Sequence, residues 1–153
     1  MQQRIALFTG SFDPFTTGHH DIVERALPLF DKLVIGVGIN PRKHCMFTAE
    51  QRLEAIKALY RDNPKIEVYA YDDMATDLAQ RVGARFIVKG VRNTADFEYE
   101  RVQAEFNKRL GGVETVLLYT RPELECVSSS AVRELIYFNK DISEYIPKHE
   151  ETR

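Results

Sequence analysis

The segment Thr9–His19, TGSFDPFTTGH, is the most informative stretch of this chain because it lies between a short apolar run and an amphipathic helix. The run before it, Arg4–Phe8, predicts a buried strand, and the apolar positions of Asp21–Phe30 recur with the period of a helix. The glycines of the segment allow a tight turn between them. This turn brings His19 to the start of the helix, where unpaired N–H groups and the helix dipole favour an anion. Taken alone, His19 would more often be a packed core histidine, since it shares a face with Ile22.

Length and composition are those of one globular domain. The 153 residues are 44% hydrophobic and 29% charged, and a chain of this length buries about 68–70% of its unfolded surface. We therefore expect a single domain over residues 1–153, with a tail that frays from about residue 147.

Charge and hydropathy argue against several classes of partner. The formal net charge of −2 argues against nucleic acid binding, and no apolar run approaches the roughly 18 residues of a membrane span. The N-terminus lacks the basic and apolar regions of a signal peptide, so we expect a cytoplasmic protein with no membrane insertion. Cys45 and Cys126 lack paired spacing, which argues against a disulfide or a zinc site.

Apolar runs and helical periods alternate along the rest of the chain. Further strands are predicted over residues 32–38, 66–71, 86–89 and 115–119, and further helices over residues 49–60, 76–82, 96–110 and 129–138. Thr48 and Gln51 have the spacing of a capping box, and a short helical piece interrupted by Pro147 is predicted from Asn139 onward. Because most strands are continuous apolar runs, the pattern predicts an α/β fold, a Rossmann-like, doubly wound parallel five-stranded sheet with helices on both faces.

Candidate ligand-binding residues follow every predicted strand, at the sheet edge where parallel sheets bind ligands. They are Ser11 and His19, Lys43, Met74 with Ala75, Lys89 through Arg92, and the serines 128–130. The longest predicted helix carries an apolar stripe that would face a core or a partner, formed by Tyr99, Val102, Phe106 and Leu110.

Three ordered motifs resemble those of the phosphopantetheine adenylyltransferases, within the nucleotidyltransferase superfamily with a T/H-x-G-H motif. The first is GSFDP at Gly10–Pro14 with TTGH ending at His19. The second is VKGVR at Val88–Arg92, followed by ADFEYE at Ala95–Glu100, with Lys89 in place of the family's usual arginine. The third is VSSSAVR at Val127–Arg133, where valine replaces the usual isoleucine. Taken alone, the serines would cap a helix and the charges at residues 89 and 92 would be solvated.

The resemblance implies a reaction and its partners. ATP and 4′-phosphopantetheine would give dephospho-coenzyme A and pyrophosphate, a step of coenzyme A biosynthesis. It also implies Mg²⁺ as cofactor, a homohexameric assembly and coenzyme A as feedback inhibitor. In-line attack by the acceptor phosphate needs no protein nucleophile; the enzyme must hold two polyanions in line and stabilise charge on the α-phosphoryl group.

The resemblance also implies roles for individual residues. His19 would contact the α-phosphate in the transition state, with Lys43 and Lys89 completing the catalytic set, and no protein metal ligand is implied. The phosphopantetheine site would comprise Ser11, Lys43, Ala75 and Lys89. The ATP site would comprise Ser11, Phe12, His19, Gly90, Val91, Arg92, Glu100, Leu124, Glu125, Cys126, Val127, Ser128, Ser129 and Ser130.

Two other functions are open, one for a related enzyme and one for a binding module without enzymatic activity. A sister nucleotidyltransferase would use nicotinamide mononucleotide or a phosphorylated alcohol, but the ADFEYE stretch and the short chain favour phosphopantetheine. A regulatory module would bind nucleotide without turnover, and the joint presence of His19, Lys43 and the serine motif argues against it.

Overall fold

Strands and helices alternate along the chain in the computed structural model, which describes residues 2–150. The strands are β1 (Ile5–Gly10), β2 (Lys32–Gly38), β3 (Ile66–Tyr71), β4 (Phe86–Val91) and β5 (Glu114–Tyr119). The helices are α1 (Thr17–Ala26), α2 (Ala49–Leu59), α3 (Ala75–Val82), α4 (Thr94–Gly111) and α5 (Ser129–Tyr137). The predicted α/β class is confirmed.

The five strands form one parallel sheet in the order β3-β2-β1-β4-β5. The chain builds outward from β1 to β2 and β3, then crosses back so that β4 pairs with the other edge of β1, with Phe8 opposite Val88. The connections after β1 and β4 therefore diverge, which opens a crevice at the carboxyl ends of these two strands. This crevice lies beside the turn that follows β1.

Helices cover both faces of the sheet, as predicted, because successive residues of a strand point to opposite faces. Phe8 of β1 packs on one face in a cluster with Val23 of α1 and Ile56 of α2. Leu7 packs on the other face with Leu78 of α3. Burial of each such side chain stabilises the fold by about 1.5–3 kcal/mol.

Local signals account for most of the helix ends. Thr48 and Gln51 form the predicted capping box at α2. Helix α1 begins at Thr17, four residues before the predicted start, because Thr16 caps it. Asn139, with φ of 56°, takes the left-handed conformation that follows the end of α5.

The prediction of a helical piece after Asn139 is wrong: within the described residues no helix follows α5. That segment is held instead by turn and tertiary bonds, such as the one from the Thr17 N–H to the Tyr145 carbonyl, 2.9 Å long. Pro147 has no N–H to extend a helix. The predicted fraying concerns residues 147–153, of which 151–153 lie outside the described residues; His149 Nδ1 lies 3.0 Å from the Leu59 carbonyl oxygen.

The apolar stripe of α4 is on the surface. Tyr99, Val102, Phe106 and Leu110 are between 49% and 63% exposed, and α4 buries none of its residues. Of the two interpretations that the sequence left open for this stripe, the core is therefore excluded. None of the helices within residues 2–150 combines the length and the apolar content that a membrane crossing requires.

Candidate active site at the carboxyl edge of the sheet

A cavity of about 180 Å³ opens at the carboxyl ends of β1 and β4, beside the N-terminus of α1. We call it the β1–β4 cavity. Seven of the residues predicted for the site line it: Phe12, His19, Lys89, Gly90, Arg92, Glu100 and Val127. Segments that lie 80 residues apart in sequence thus share one crevice.

A second cavity of about 430 Å³, the β1–β2 cavity, opens at the carboxyl ends of β1 and β2. Ser11, Lys43 and Tyr71 are among the residues lining it. Thr9 and Lys89 line both cavities. The two cavities therefore adjoin, and the Lys89 side chain stands at their junction.

The imidazole of His19 is oriented by the first turn of α1. Thr16 is the N-cap: its Oγ1 accepts from the His19 N–H at 3.4 Å, and its own N–H donates to His19 Nδ1 at 2.9 Å. Because Nδ1 accepts a hydrogen bond, the neutral ring carries its proton on Nε2. Nε2 makes no hydrogen bond within residues 2–150, so its N–H is available to a bound oxyanion.

Aromatic side chains surround the His19 ring. Phe12 packs edge-on against it with centroids 5.0 Å apart, and Phe15 lies 5.2 Å away at an interplanar angle of 34°. This burial, together with the positive charges of Arg92 and Lys89, lowers the pKa of His19 to about 4. His19 is therefore a neutral hydrogen-bond donor at pH 7.

Two lysines approach the end of β1 from opposite sides. Lys43 Nζ donates to Ser11 Oγ at 2.8 Å, and Lys89 Nζ donates to the Thr9 carbonyl at 3.4 Å. Each ammonium group keeps further N–H donors for a phosphate. The structure thus brings together three of the four residues predicted for the phosphopantetheine site.

The fourth of these residues, Ala75, is the first residue of α3 and lines neither cavity. Its neighbours Asp72 and Asp73 line the β1–β2 cavity. Val91 is also outside both cavities, since its side chain is buried in the fold.

The segment after β4 places a guanidinium group at the β1–β4 cavity. Arg92 Nε and the Arg92 N–H both donate to Asp96 Oδ2, at 3.2 and 3.1 Å. Asn93 caps α4 by accepting from the Asp96 N–H at 2.9 Å. At Gly90, a Cβ would lie 3.0 Å from the Ile22 side chain, so a larger residue would require that side chain to shift.

Each serine hydroxyl of the third motif already has a partner. Ser128 Oγ accepts from the Ala131 N–H at 3.0 Å as the N-cap of α5, and Ser129 Oγ donates to the Pro14 carbonyl at 2.8 Å. Ser130 Oγ accepts from Arg133 at 3.0 Å. Of the predicted residues 124–130, Val127 lines the β1–β4 cavity and the other six do not.

Asp13, inside the first motif, has a structural role that the sequence did not reveal. Its side chain is only 3% exposed. Oδ2 accepts from the Met46 N–H at 2.8 Å and Oδ1 from the Phe47 N–H at 2.9 Å. Asp13 therefore ties the segment that carries Lys43 to the turn after β1.

Arg52 reinforces the same junction from α2 and is only 6% exposed. Its guanidinium group donates to the carbonyls of Ser11 at 2.6 Å, Gly38 at 3.0 Å and Phe47 at 3.2 Å. It thus joins the turn after β1, the end of β2 and the residue before the α2 cap. The one sequence signal was a charged residue four positions before Ile56, on the inward face of a helix.

The sequence of this chain is similar to those of known nucleotide-transferring enzymes. A family model described as cytidylyltransferase-like matches residues 7–135. A phosphopantetheine adenylyltransferase from Bacteroides thetaiotaomicron is 54% identical over 145 residues, which are 95% of this chain and 96% of that protein. One from Porphyromonas gingivalis is 51% identical over 148 residues, 97% of each chain.

Solved structures show the same fold at low sequence identity. A bifunctional NMN adenylyltransferase/ADP ribose pyrophosphatase from Francisella tularensis superposes with a TM-score of 0.70 at 17% identity, covering 97% of this chain and 46% of that one. A protein from Vibrio parahaemolyticus superposes with a TM-score of 0.69 at 20% identity, covering 96% and 95% of the two chains.

Proposed function

Because this chain belongs to the phosphopantetheine adenylyltransferase family, we propose that it transfers the adenylyl group of ATP to 4′-phosphopantetheine. The products are dephospho-coenzyme A and pyrophosphate. The observation that carries the proposal is the pair of adjoining cavities that share Thr9 and Lys89. Two substrates bound there would meet at the carboxyl end of β1.

In this arrangement ATP occupies the β1–β4 cavity and the acceptor phosphate lies against Ser11, Lys43 and Lys89 in the β1–β2 cavity. An oxygen of the acceptor phosphate attacks the α-phosphorus of ATP and forms the new P–O bond. The bond to the bridging oxygen breaks, and pyrophosphate leaves with that electron pair. The residues act by holding two anions in line and stabilising charge, and none becomes covalently modified.

His19 supplies the donor for the reacting group. Its Nε2–H would donate to an α-phosphoryl oxygen, while the Thr16 N–H keeps Nδ1 as an acceptor. A donor held in place before the reaction stabilises developing charge without reorganisation. Lys89, at the junction of the two cavities, faces the phosphates of both substrates.

The N-terminus of α5 completes the proposed ATP site. Ser129 joins this end to the turn after β1 through the Pro14 carbonyl. The Val127 carbonyl approaches α1 so closely that a Cβ at Gly18 would lie 3.2 Å from it. Two helix N-termini thus adjoin beside the β1–β4 cavity, an arrangement that favours a polyphosphate.

Mg²⁺ is the proposed cofactor, and the donor set suits a metal ion that arrives with ATP. Within residues 2–150 no group of three or more histidine, cysteine or acidic residues could hold a metal ion. Glu100 supplies a carboxylate at the β1–β4 cavity, and Mg²⁺ commonly binds one or two carboxylates together with substrate phosphates. When bound, it would neutralise charge on the phosphates of ATP.

A panel of acceptors tests this function. We expect Mg²⁺-dependent pyrophosphate release with ATP and 4′-phosphopantetheine to exceed by far the release with nicotinamide mononucleotide or phosphocholine. The β1–β2 cavity, at about 430 Å³, offers the lysines that an acceptor phosphate needs. Equal turnover with nicotinamide mononucleotide would reject the acceptor assignment, and no turnover with any acceptor would favour a binding module.

We also propose that the chain assembles with itself as a homohexamer. The exposed stripe of α4, which is between 49% and 63% exposed at its four positions, supports self-association because monomers rarely expose large contiguous apolar patches. Light scattering at micromolar concentration is expected to give a mass above that of the 17.7 kDa chain. Val102→Glu should lower that mass, whereas a monomer mass for the wild type would reject the proposal.

Coenzyme A is the proposed feedback inhibitor. The cytoplasm is the proposed compartment in which it acts. Coenzyme A shares the adenylyl and pantetheine groups of the proposed product, so it can occupy both cavities at once. Inhibition should therefore weaken as either substrate is raised.

A further inference from the structure

Tyr60 connects α2 to the surroundings of His19. It follows α2 directly, and its own N–H donates to the Ile56 carbonyl as part of the helix C-cap. The side chain is only 7% exposed and belongs to the core cluster that contains Phe12 and Phe15. No motif of the sequence includes it.

A series of ring contacts leads from Tyr60 to His19. The rings of Tyr60 and Phe15 meet edge to face, with centroids 6.1 Å apart and an interplanar angle of 88°. Phe15 in turn lies 5.2 Å from the His19 ring at an angle of 34°. Edge-to-face contacts of this kind contribute about 0.5–1.5 kcal/mol beyond burial and favour a defined relative orientation.

A hydrogen bond to a neighbouring histidine also holds the Tyr60 ring in place. His20 Nδ1 lies 2.7 Å from the Tyr60 hydroxyl, and the two rings stack at 22° with centroids 5.7 Å apart. Burial, with the nearby charge of Glu24, raises the pKa of Tyr60, so the hydroxyl keeps its proton and shares a hydrogen bond with the imidazole. Tyr60 thus contacts His20 through a hydrogen bond and ring stacking, and it packs edge to face with Phe15.

We propose that Tyr60 is a positioning residue for His19, acting through Phe15. The hydrogen bond from Thr16 fixes only one atom of the imidazole, Nδ1. Rotation of the ring about that point would move Nε2, the atom that donates to substrate in the proposed function. The packing of Phe12 and Phe15 opposes this rotation, and the edge-to-face contact with Tyr60 restrains Phe15.

The expected effect of Tyr60 on kcat rests on the proposed adenylyl transfer. The expected effect of Tyr60 on the orientation of the His19 ring does not depend on that function. Misplacement of a reacting group by about 1 Å costs up to ~10²-fold in rate. Because Tyr60 lines neither cavity, its loss should alter kcat without altering the binding of either substrate. A residue that only stabilised the fold would show no such separation.

The test compares Tyr60→Met with Tyr60→Phe. Methionine fills much of the space but has no ring edge, and we expect kcat to fall about tenfold with the KM for ATP and for phosphopantetheine within about twofold. Phenylalanine loses the hydrogen bond to His20 but keeps the ring that packs on Phe15, so it should restore kcat to within about twofold. Equal kcat for Tyr60→Met and wild type, or equal loss in both variants, would overturn the proposal.

Leu78→Ala is the matched control for lost stability. Leu78 is 2% exposed and packs on the opposite face of the sheet, so its truncation should lower the thermal midpoint and leave kcat unchanged in the folded fraction. If Tyr60→Met does not fold, Phe15→Leu removes the same contact one step nearer to His19 and should show the same separation of kcat from KM.

Long-range ¹H–¹⁵N NMR of His19 separates this inference from the proposed function. In wild type we expect the neutral tautomer with the proton on Nε2, and in Tyr60→Met a shifted or exchange-broadened signal. Leu78→Ala should leave that signal unchanged. A shifted signal in a protein that is inactive with every acceptor would reject the proposed function alone, and an unchanged signal in Tyr60→Met would reject the positioning role.

Discussion

Replacement of His19 by alanine is expected to lower kcat by roughly 10²–10³, or about 2.7–4 kcal/mol, with little change in the KM for ATP. The Nε2–H donor is expected to strengthen its bond as charge develops on the α-phosphoryl oxygens, so its removal affects the transition state more than the bound substrate. Steady-state kinetics with both substrates varied would measure the two constants.

His149→Ala is the control for this variant. It removes a histidine that lines neither cavity and whose Nδ1 lies 3.0 Å from the Leu59 carbonyl oxygen. Turnover should stay near the wild-type value. A folded His19→Ala protein with near-normal turnover would leave His19 as a packing residue only.

The lowered pKa of His19 has a consequence for stability. Its pKa is about 4 in the folded chain, below the ordinary value of 6.5 that holds when the chain is unfolded. Between these values the unfolded state binds more protons than the folded state, so the stability contributed by neutral His19 is present above about pH 6.5 and is lost as pH falls to about 4. Denaturant unfolding of wild type and His19→Ala across this window should show the difference.

Lys89→Ala is expected to raise the KM for phosphopantetheine. Lys89 stands where the two cavities meet, and within the described residues the only hydrogen bond of its side chain is the 3.4 Å contact to the Thr9 carbonyl. A hydrogen bond to a charged group contributes about 1.5–3 kcal/mol, so the increase should be roughly 10- to 100-fold. Turnover should fall as well if the ammonium group also contacts the transferred phosphoryl group.

Lys89→Arg tests which property of the cation matters. A lysine is a point charge whereas arginine is a planar fork, so a site that needs only a cation should tolerate the change, and restoration of the fork could tighten binding. Lys65→Ala is the matched control, since Lys65 Nζ also donates to a backbone carbonyl, that of Leu27 at 3.0 Å. Unchanged constants in a folded Lys89→Ala protein would leave this residue as a solvated charge.

The sequence predicted the parts of the site that depend on neighbours along the chain. The Thr48 and Gln51 capping box follows from three-residue spacing. The contact between Thr16 and His19 Nδ1 has the same spacing, and recognition of a capping box with histidine in the third position would have found it. The wrong prediction came after Asn139, where tertiary contacts rather than helical periodicity determine the backbone.

Arg52 and Tyr60 could not be assigned a role from the sequence. The three carbonyls that Arg52 binds lie 41, 14 and 5 residues away, and the hydroxyl partner of Tyr60 lies 40 residues away. Each appears in the sequence as one more position on an inward helical face. Only the packing of α2 against the turn after β1 gives these side chains their partners.

The sequence by itself determined the alternation of strands and helices and the turn that presents His19, because hydrogen-bond periodicity, capping and glycine geometry act over a few residues. The tertiary structure decided that β4 pairs with β1, which places Lys89 between two cavities. It also decided the protonation state of His19, because desolvation and the charges of Arg92 and Lys89 depend on distances in space. A histidine in the same motif without that surrounding would titrate near its ordinary pKa, and part of its population would be charged at pH 7.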